Sequence, residues 1–148
     1  MIRENVLARL LVYAYRAELN EAEVIFTLLP EIPSEEDWKT LMTMLKDNMI
    51  HAEMLEKAMK ALGIDVPEVE PVKLHPVSDR NKALEFIAKF ENTAYNYYRY
   101  LLENVDFESL NNGNEIRNTL RTLTEWEKKH IEMIRKTLDN FKVRYKIL

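Results

Sequence analysis

Apolar residues recur along this chain at the three- and four-residue steps of a helix, in four stretches set apart by turn formers. The first stripe is Leu7, Leu11, Ala14, Ala22, Ile25 and Leu29, and the second is Leu41, Leu45, Ala52, Leu55, Met59 and Leu62. The third is Leu84, Ile87, Ala94, Tyr98, Leu101 and Val105. The fourth is Ile116, Leu120, Leu123, Ile131, Ile134, Leu138 and Phe141. Pro30 and Pro33 close the first stretch, and Ser34-Glu-Glu-Asp37 reads as an N-cap with an acidic first turn. Gly63 reads as the C-terminal cap of the second helix and Ser78 as the cap of the third; Asn112-Gly113-Asn114 divides the third from the fourth. No strand-like alternation survives between these breaks. The pattern predicts helices over 4–29, 35–62, 79–104 and 114–141, an all-α four-helix bundle formed by one domain over 1–148.

The connections set the expected topology. The first and third are short, so each joins an antiparallel pair. The middle one, 63–78, contains three prolines and no helical period. A helix of about 28 residues is about 42 Å long, and about 16 extended residues reach about 50 Å. That segment is therefore expected to cross the length of the bundle. Two helical hairpins joined by one long crossover form the ferritin-like arrangement.

Every stripe is broken by polar residues near the middle of its helix. Glu18 breaks the first, with Glu21 one turn later; Asn48 and His51 break the second; Glu91 breaks the third; Glu127 and His130 break the fourth. In an antiparallel bundle the midpoints share one level, so these side chains are expected to meet in the core. A buried isolated carboxylate costs several kcal/mol and tends to protonate, whereas a cation makes a cluster of them tolerable. Glu-x-x-His puts both side chains on one helix face, where they can reach one metal ion or an adjacent pair. Carboxylate with imidazole suits iron, manganese or zinc.

Composition narrows the chemistry. The 148 residues include no cysteine, which excludes disulfides, iron–sulfur clusters, thiolate zinc sites and cysteine nucleophiles. A net charge of −4 argues against nucleic acid as a partner. No apolar run approaches a membrane span and the N-terminus lacks a signal-peptide pattern, so the expectation is a cytoplasmic protein with no membrane partner.

The chain resembles the ferritin-like superfamily, and within it the rubrerythrin-type domains, whose helices carry Glu, Glu-x-x-His, Glu and Glu-x-x-His in turn. Glu18 matches the first, Glu91 with Ala94 and Tyr98 fits the style of the third, and Glu127 with His130 matches the fourth. The resemblance implies two metal ions, usually iron, held by Glu18, His51, Glu91, Glu127 and His130. It also implies chemistry on peroxide, oxygen or ferrous ion. The second helix departs from the pattern: Asn48 stands where the family has glutamate. Two divalent ions bring +4, and Glu18, Glu91 and Glu127 bring −3. Glu21 is a candidate for the missing acid, a mirror image of the extra glutamate that rubrerythrin-type proteins can carry three residues after the helix-three ligand, where this chain has Ala94. Asn48 itself could ligate through its amide oxygen. Asp47 is a candidate to orient a neighbouring histidine, and Tyr98 a candidate hydrogen-bond donor to the centre. Tyr97 and Tyr100 are expected at the surface or in a homodimer contact, and Glu23, Glu53 and His75 in water.

Three classes of function remain open on this reading. One is a redox enzyme taking a small oxidant and, for want of cysteine, electrons from an external donor. Another is a bundle holding one ion without turnover, its Asn48 half decayed. The third is a structural or partner-binding bundle.

Overall fold

The computed structural model describes residues 1–69 and 80–144. Four helices build it: α1 (Glu4–Leu28), α2 (Glu35–Ala61), α3 (Arg80–Asn104) and α4 (Gly113–Arg144), with 3-10 turns at Leu29–Glu31 and Phe107–Ser109. Among the described residues no strand forms, only one isolated bridge between Ile2 and Val105. The expected segments agree to within a residue except at the end of α4, which runs on past 141 to Arg144. The Ser78 cap, His75 and the side chain of Phe141 lie outside the described residues.

The helix ends follow local chemistry. Ser34 Oγ accepts the amide of Asp37 at 3.4 Å, capping α2. At the other end of α2, Gly63 takes φ +75°, its amide bonds Lys60 O and that of Ile64 bonds Met59 O, a Schellman closure that only glycine enters without strain. Gly113 is needed for a different reason: a Cβ there would lie 1.8 Å from the Phe107 carbonyl oxygen.

Contacts at the ends fix the topology. Ile2 N donates to Asn104 O, which joins the start of α1 to the end of α3. Asn112 Nδ2 donates to Ala61 O, bringing the start of α4 to the end of α2. Arg80 Nη1 donates to Glu31 O, so α3 begins where α1 finishes. The chain therefore leaves α2 at one end of the bundle and enters α3 at the other, as the crossover requires. The hairpins α1–α2 and α3–α4 pack broadly, while of the neighbouring helix pairs α1 and α3 share the thinnest contact.

The core is two apolar clusters with a polar storey between them. One cluster runs from Leu7 to Tyr15 on α1, from Ala52 to Met59 on α2, and through Tyr98, Leu101, Leu120 and Leu123. The other holds Ile25 and Leu28, Leu41 and Met44, Leu84 and Ile87, and Ile134. Each fully buried leucine or isoleucine contributes roughly 1.5–3 kcal/mol. The stripes need small corrections. Met44, not Leu45, enters the core, because the alternating four–three step from Leu41 through Asn48, His51 and Leu55 passes through 44. Leu62, Ala94, Ile131 and Leu138 are only half-buried, each at an edge of its helix's inward face.

Candidate metal centre

The storey between the clusters contains the residues that interrupt the four stripes. Glu18, Glu21, Asn48, His51, Glu91, Glu127 and His130 are all buried, none more than 1% exposed. Glu18 and Glu21 stand one turn apart on α1, as do Asn48 and His51 on α2 and Glu127 and His130 on α4. Glu23 and Glu53 are exposed, as expected.

Two groups of potential ligand atoms form. Glu18, His51 and Glu127 make one, Glu91, Glu127 and His130 the other, with the atoms of each group within 4.8 Å of one another. Glu127 belongs to both. His51 Nδ1 lies 2.9 Å from Glu127 Oε1 and 3.5 Å from Glu18 Oε2. His130 Nδ1 lies 3.4 Å from Glu91 Oε2 and 3.8 Å from Glu127 Oε2. These approaches lack the alignment of hydrogen bonds. Each of the seven side chains keeps at least one buried nitrogen or oxygen with no hydrogen-bond partner among the described residues. Buried polar atoms are nearly always paired, so so many lone pairs aimed inward fit a cation.

The surrounding contacts are unequal. His130 Nε2 lies 2.9 Å from Asp47 Oδ2, which reaches across from α2. The place equivalent to Asp47 on α4, one residue before the core carboxylate, is Trp126. Its ring lies 4.8 Å from that of His51, centroid to centroid. The indole was not among the residues singled out from the sequence; its offset from Glu127, equal to that of Asp47 from Asn48, was the available signal. Tyr98 donates its hydroxyl to Glu18 Oε1 at 2.7 Å. Asn48 Nδ2 donates to Glu21 Oε1 at 2.6 Å, which sets Glu21 between Asn48 and the carboxyl of Glu91. Glu21 thus joins the buried cluster but stands outside the two tight groups. Tyr100 is exposed, whereas Tyr97 is half-buried and donates to Leu10 O at 2.7 Å, so its hydroxyl is satisfied within the chain.

Burial dominates the electrostatics. It raises Glu18 to about 7, with the charge of Glu127 adding to the shift, and Glu21 to about 8. Glu91 is pushed well above the usual carboxylate range by burial and by its contacts with Glu21 and Glu127. Burial also opposes ionisation of Glu127, but its close approach to Glu91 and His51 and the charges of both histidines hold it below 4.5. For His51 burial disfavours the cation, yet Glu127 and Glu18 overcome it and raise the imidazole to about 10. Without a metal ion the cluster retains protons that an ion would displace.

No family model matches the chain, and no curated protein does. A protein of Xanthomonas campestris pv. campestris known by its crystal structure is similar with a TM-score of 0.81 and 14% identity, over 95% of this chain and 93% of that one. At that identity the likeness establishes the fold, an all-α four-helix bundle. Among the described residues no helix is long and apolar enough to cross a membrane.

Proposed function

We propose that the mid-bundle cluster is a carboxylate-bridged two-ion centre of the ferritin-like, rubrerythrin type, with iron as the foremost metal and redox chemistry on peroxide, oxygen or ferrous ion. The observation that carries the reading is Glu127: its two carboxylate oxygens face two histidines, one on each side, and it belongs to both groups of candidate ligands. Two adjacent iron ions, when bound, can pass two electrons to a small oxidant.

The chain's own residues define the holder. Glu18 and His51 would serve one ion, Glu91 and His130 the other, with Glu127 between them. The donor set of carboxylate and imidazole fits iron, manganese or zinc. Glu21 restores the charge balance: with Glu18, Glu91 and Glu127 it makes −4 against +4. Asn48 occupies one Glu21 oxygen and leaves the other without a partner. Asp47 holds a proton on His130 Nε2, which leaves the Nδ1 lone pair turned toward Glu91 and Glu127. Tyr98 donates its hydroxyl to Glu18 Oε1 and leaves Oε2 to face His51. The two apolar clusters above and below close this storey along the bundle axis. With no cysteine in the chain, turnover draws electrons from an external donor.

The two positions are unequal on this reading. His130 has a carboxylate behind it and His51 an indole, so the Glu91–Glu127–His130 position binds its ion more tightly. That inequality also favours a second reading, in which this position alone is filled and the protein holds one ion without turnover.

Anaerobic loading with ferrous ion followed by metal analysis separates these. Two ions per chain, with a near-ultraviolet band on exposure to air, support the redox centre. One retained ion without oxidation supports the second reading. No retained metal overturns both.

A further inference from the structure

A cavity of about 320 Å³ opens between α1 and α3 and leads from the surface to Glu18. Its origin lies in side-chain size. Ala14 and Ala17 on α1 and Ala94 on α3 line it, and their short side chains leave unfilled a space that larger residues would close. Phe86, Phe90 and Tyr97 give the walls an aromatic lining. At its inner end stand Tyr98 and Glu18, and the Tyr98 hydroxyl donates to Glu18 Oε1 at 2.7 Å. At the exposed rim stands Lys89, with no ion pair to its ammonium among the described residues.

We infer that this cavity binds an unbranched aliphatic carboxylate, its chain lying between α1 and α3 and its head at Lys89. An apolar space of this size beside a functional centre is a typical small-molecule site. The inner end repels an anionic head, because it adjoins the carboxylate cluster and offers no free donor. The head therefore stays at the rim, where Lys89 and water meet it, and the chain fills the apolar depth. The gap runs inward between two helices, which a slender chain can enter and the broad face of another helix cannot. Binding itself needs no metal. Only the consequence that the far end of the chain lies beside a metal ligand, Glu18, rests on the centre proposed above.

Calorimetric titration of the metal-free protein with decanoate tests the inference. Expected is saturable binding of one decanoate per chain, with octanoate roughly tenfold weaker for its two missing methylenes. Ala17→Phe, which fills the cavity, is expected to abolish uptake while leaving metal content unchanged. Should that variant fail to fold, Thr93→Phe fills the same space from α3. Lys89→Glu is expected to weaken decanoate and to leave decanol unchanged. Absence of binding, binding without chain-length dependence, or equal binding by a folded cavity-filled variant overturns the inference. So does a dimer that sediments apart on Tyr13→Glu, which would give this face to a second copy. Decanoate uptake by a protein that retains no metal removes the two-ion reading alone; metal uptake without decanoate removes this one alone.

Discussion

The α1–α2 and α3–α4 hairpins meet at the same storey with the same plan, yet they furnish it differently. Each offers a glutamate from its first helix and a histidine from its second: Glu18 with His51, Glu91 with His130. On α4 the carboxylate before the histidine is Glu127, which serves both sides. On α2 that place holds Asn48, which donates to the buried acid Glu21 on α1, at the position where α3 has Ala94. The residues behind the histidines differ as well, Asp47 for His130 and Trp126 for His51. The buried storey thus has four glutamates, two on α1, one on α3 and one on α4.

The largest expected effect removes the group common to both halves. Glu127→Ala should bring metal content to background, read by elemental analysis after ferrous loading, with the fold checked by circular dichroism. Next comes the second acid of α1. Glu21→Ala should lose one of two ions, and adding Asn48→Glu should restore it by placing a carboxylate on α2. If Glu21→Ala retains both ions, Glu21 is not the replacement. Asp47→Asn should weaken the first-bound ion roughly 10–100-fold and leave the second unchanged. A loss shared equally by both would erase the distinction between the halves.

A smaller effect concerns pH. Folded Glu18 and Glu21 titrate at about 7 and about 8 rather than at the ordinary 4.5, so the folded state holds these protons more tightly than the unfolded one. Their stabilising contribution is full below 4.5 and is lost as pH rises through 7 and 8. His51 acts in the same direction, its contribution full below 6.5 and lost as pH approaches 10. Glu127, lowered by its partners, contributes in the opposite sense, and that contribution is lost only as pH falls below its ordinary 4.5. The metal-free protein should therefore melt several degrees lower at pH 8 than at pH 5, whereas metal affinity should rise over the same interval as the ligands shed protons. A metal-free melting temperature that climbs with pH would contradict the retained protons.

Much of this was legible in the sequence because a charged residue inside an apolar stripe has only a few physical meanings. Glu18, Asn48, His51, Glu91, Glu127 and His130 interrupt their stripes at the midpoints, and all are buried together. Asp47 and Tyr98 could be named because each sits near a candidate ligand and carries a group that bonds one. Trp126 escaped because an indole does not interrupt a stripe; its meaning depends on what lies across the bundle. Met44 was passed over for Leu45 because both residues are apolar and the choice turns on helix phase. Tyr97 looked like a surface residue because its tie to the Leu10 carbonyl joins helices far apart in the chain. The gap lined by Ala14, Ala17 and Ala94 was likewise invisible, since small residues on separate helices make a void only when they face each other.

The central claim, that buried acids and imidazoles here form two unequal metal positions sharing Glu127, is tested most directly by stepwise calorimetric titration of the metal-free protein with manganous ion. The account predicts two binding steps per chain of distinct affinity, the tighter one weakened by Asp47→Asn and both abolished by Glu127→Ala. No binding, or uptake that survives Glu127→Ala in a folded protein, would contradict it.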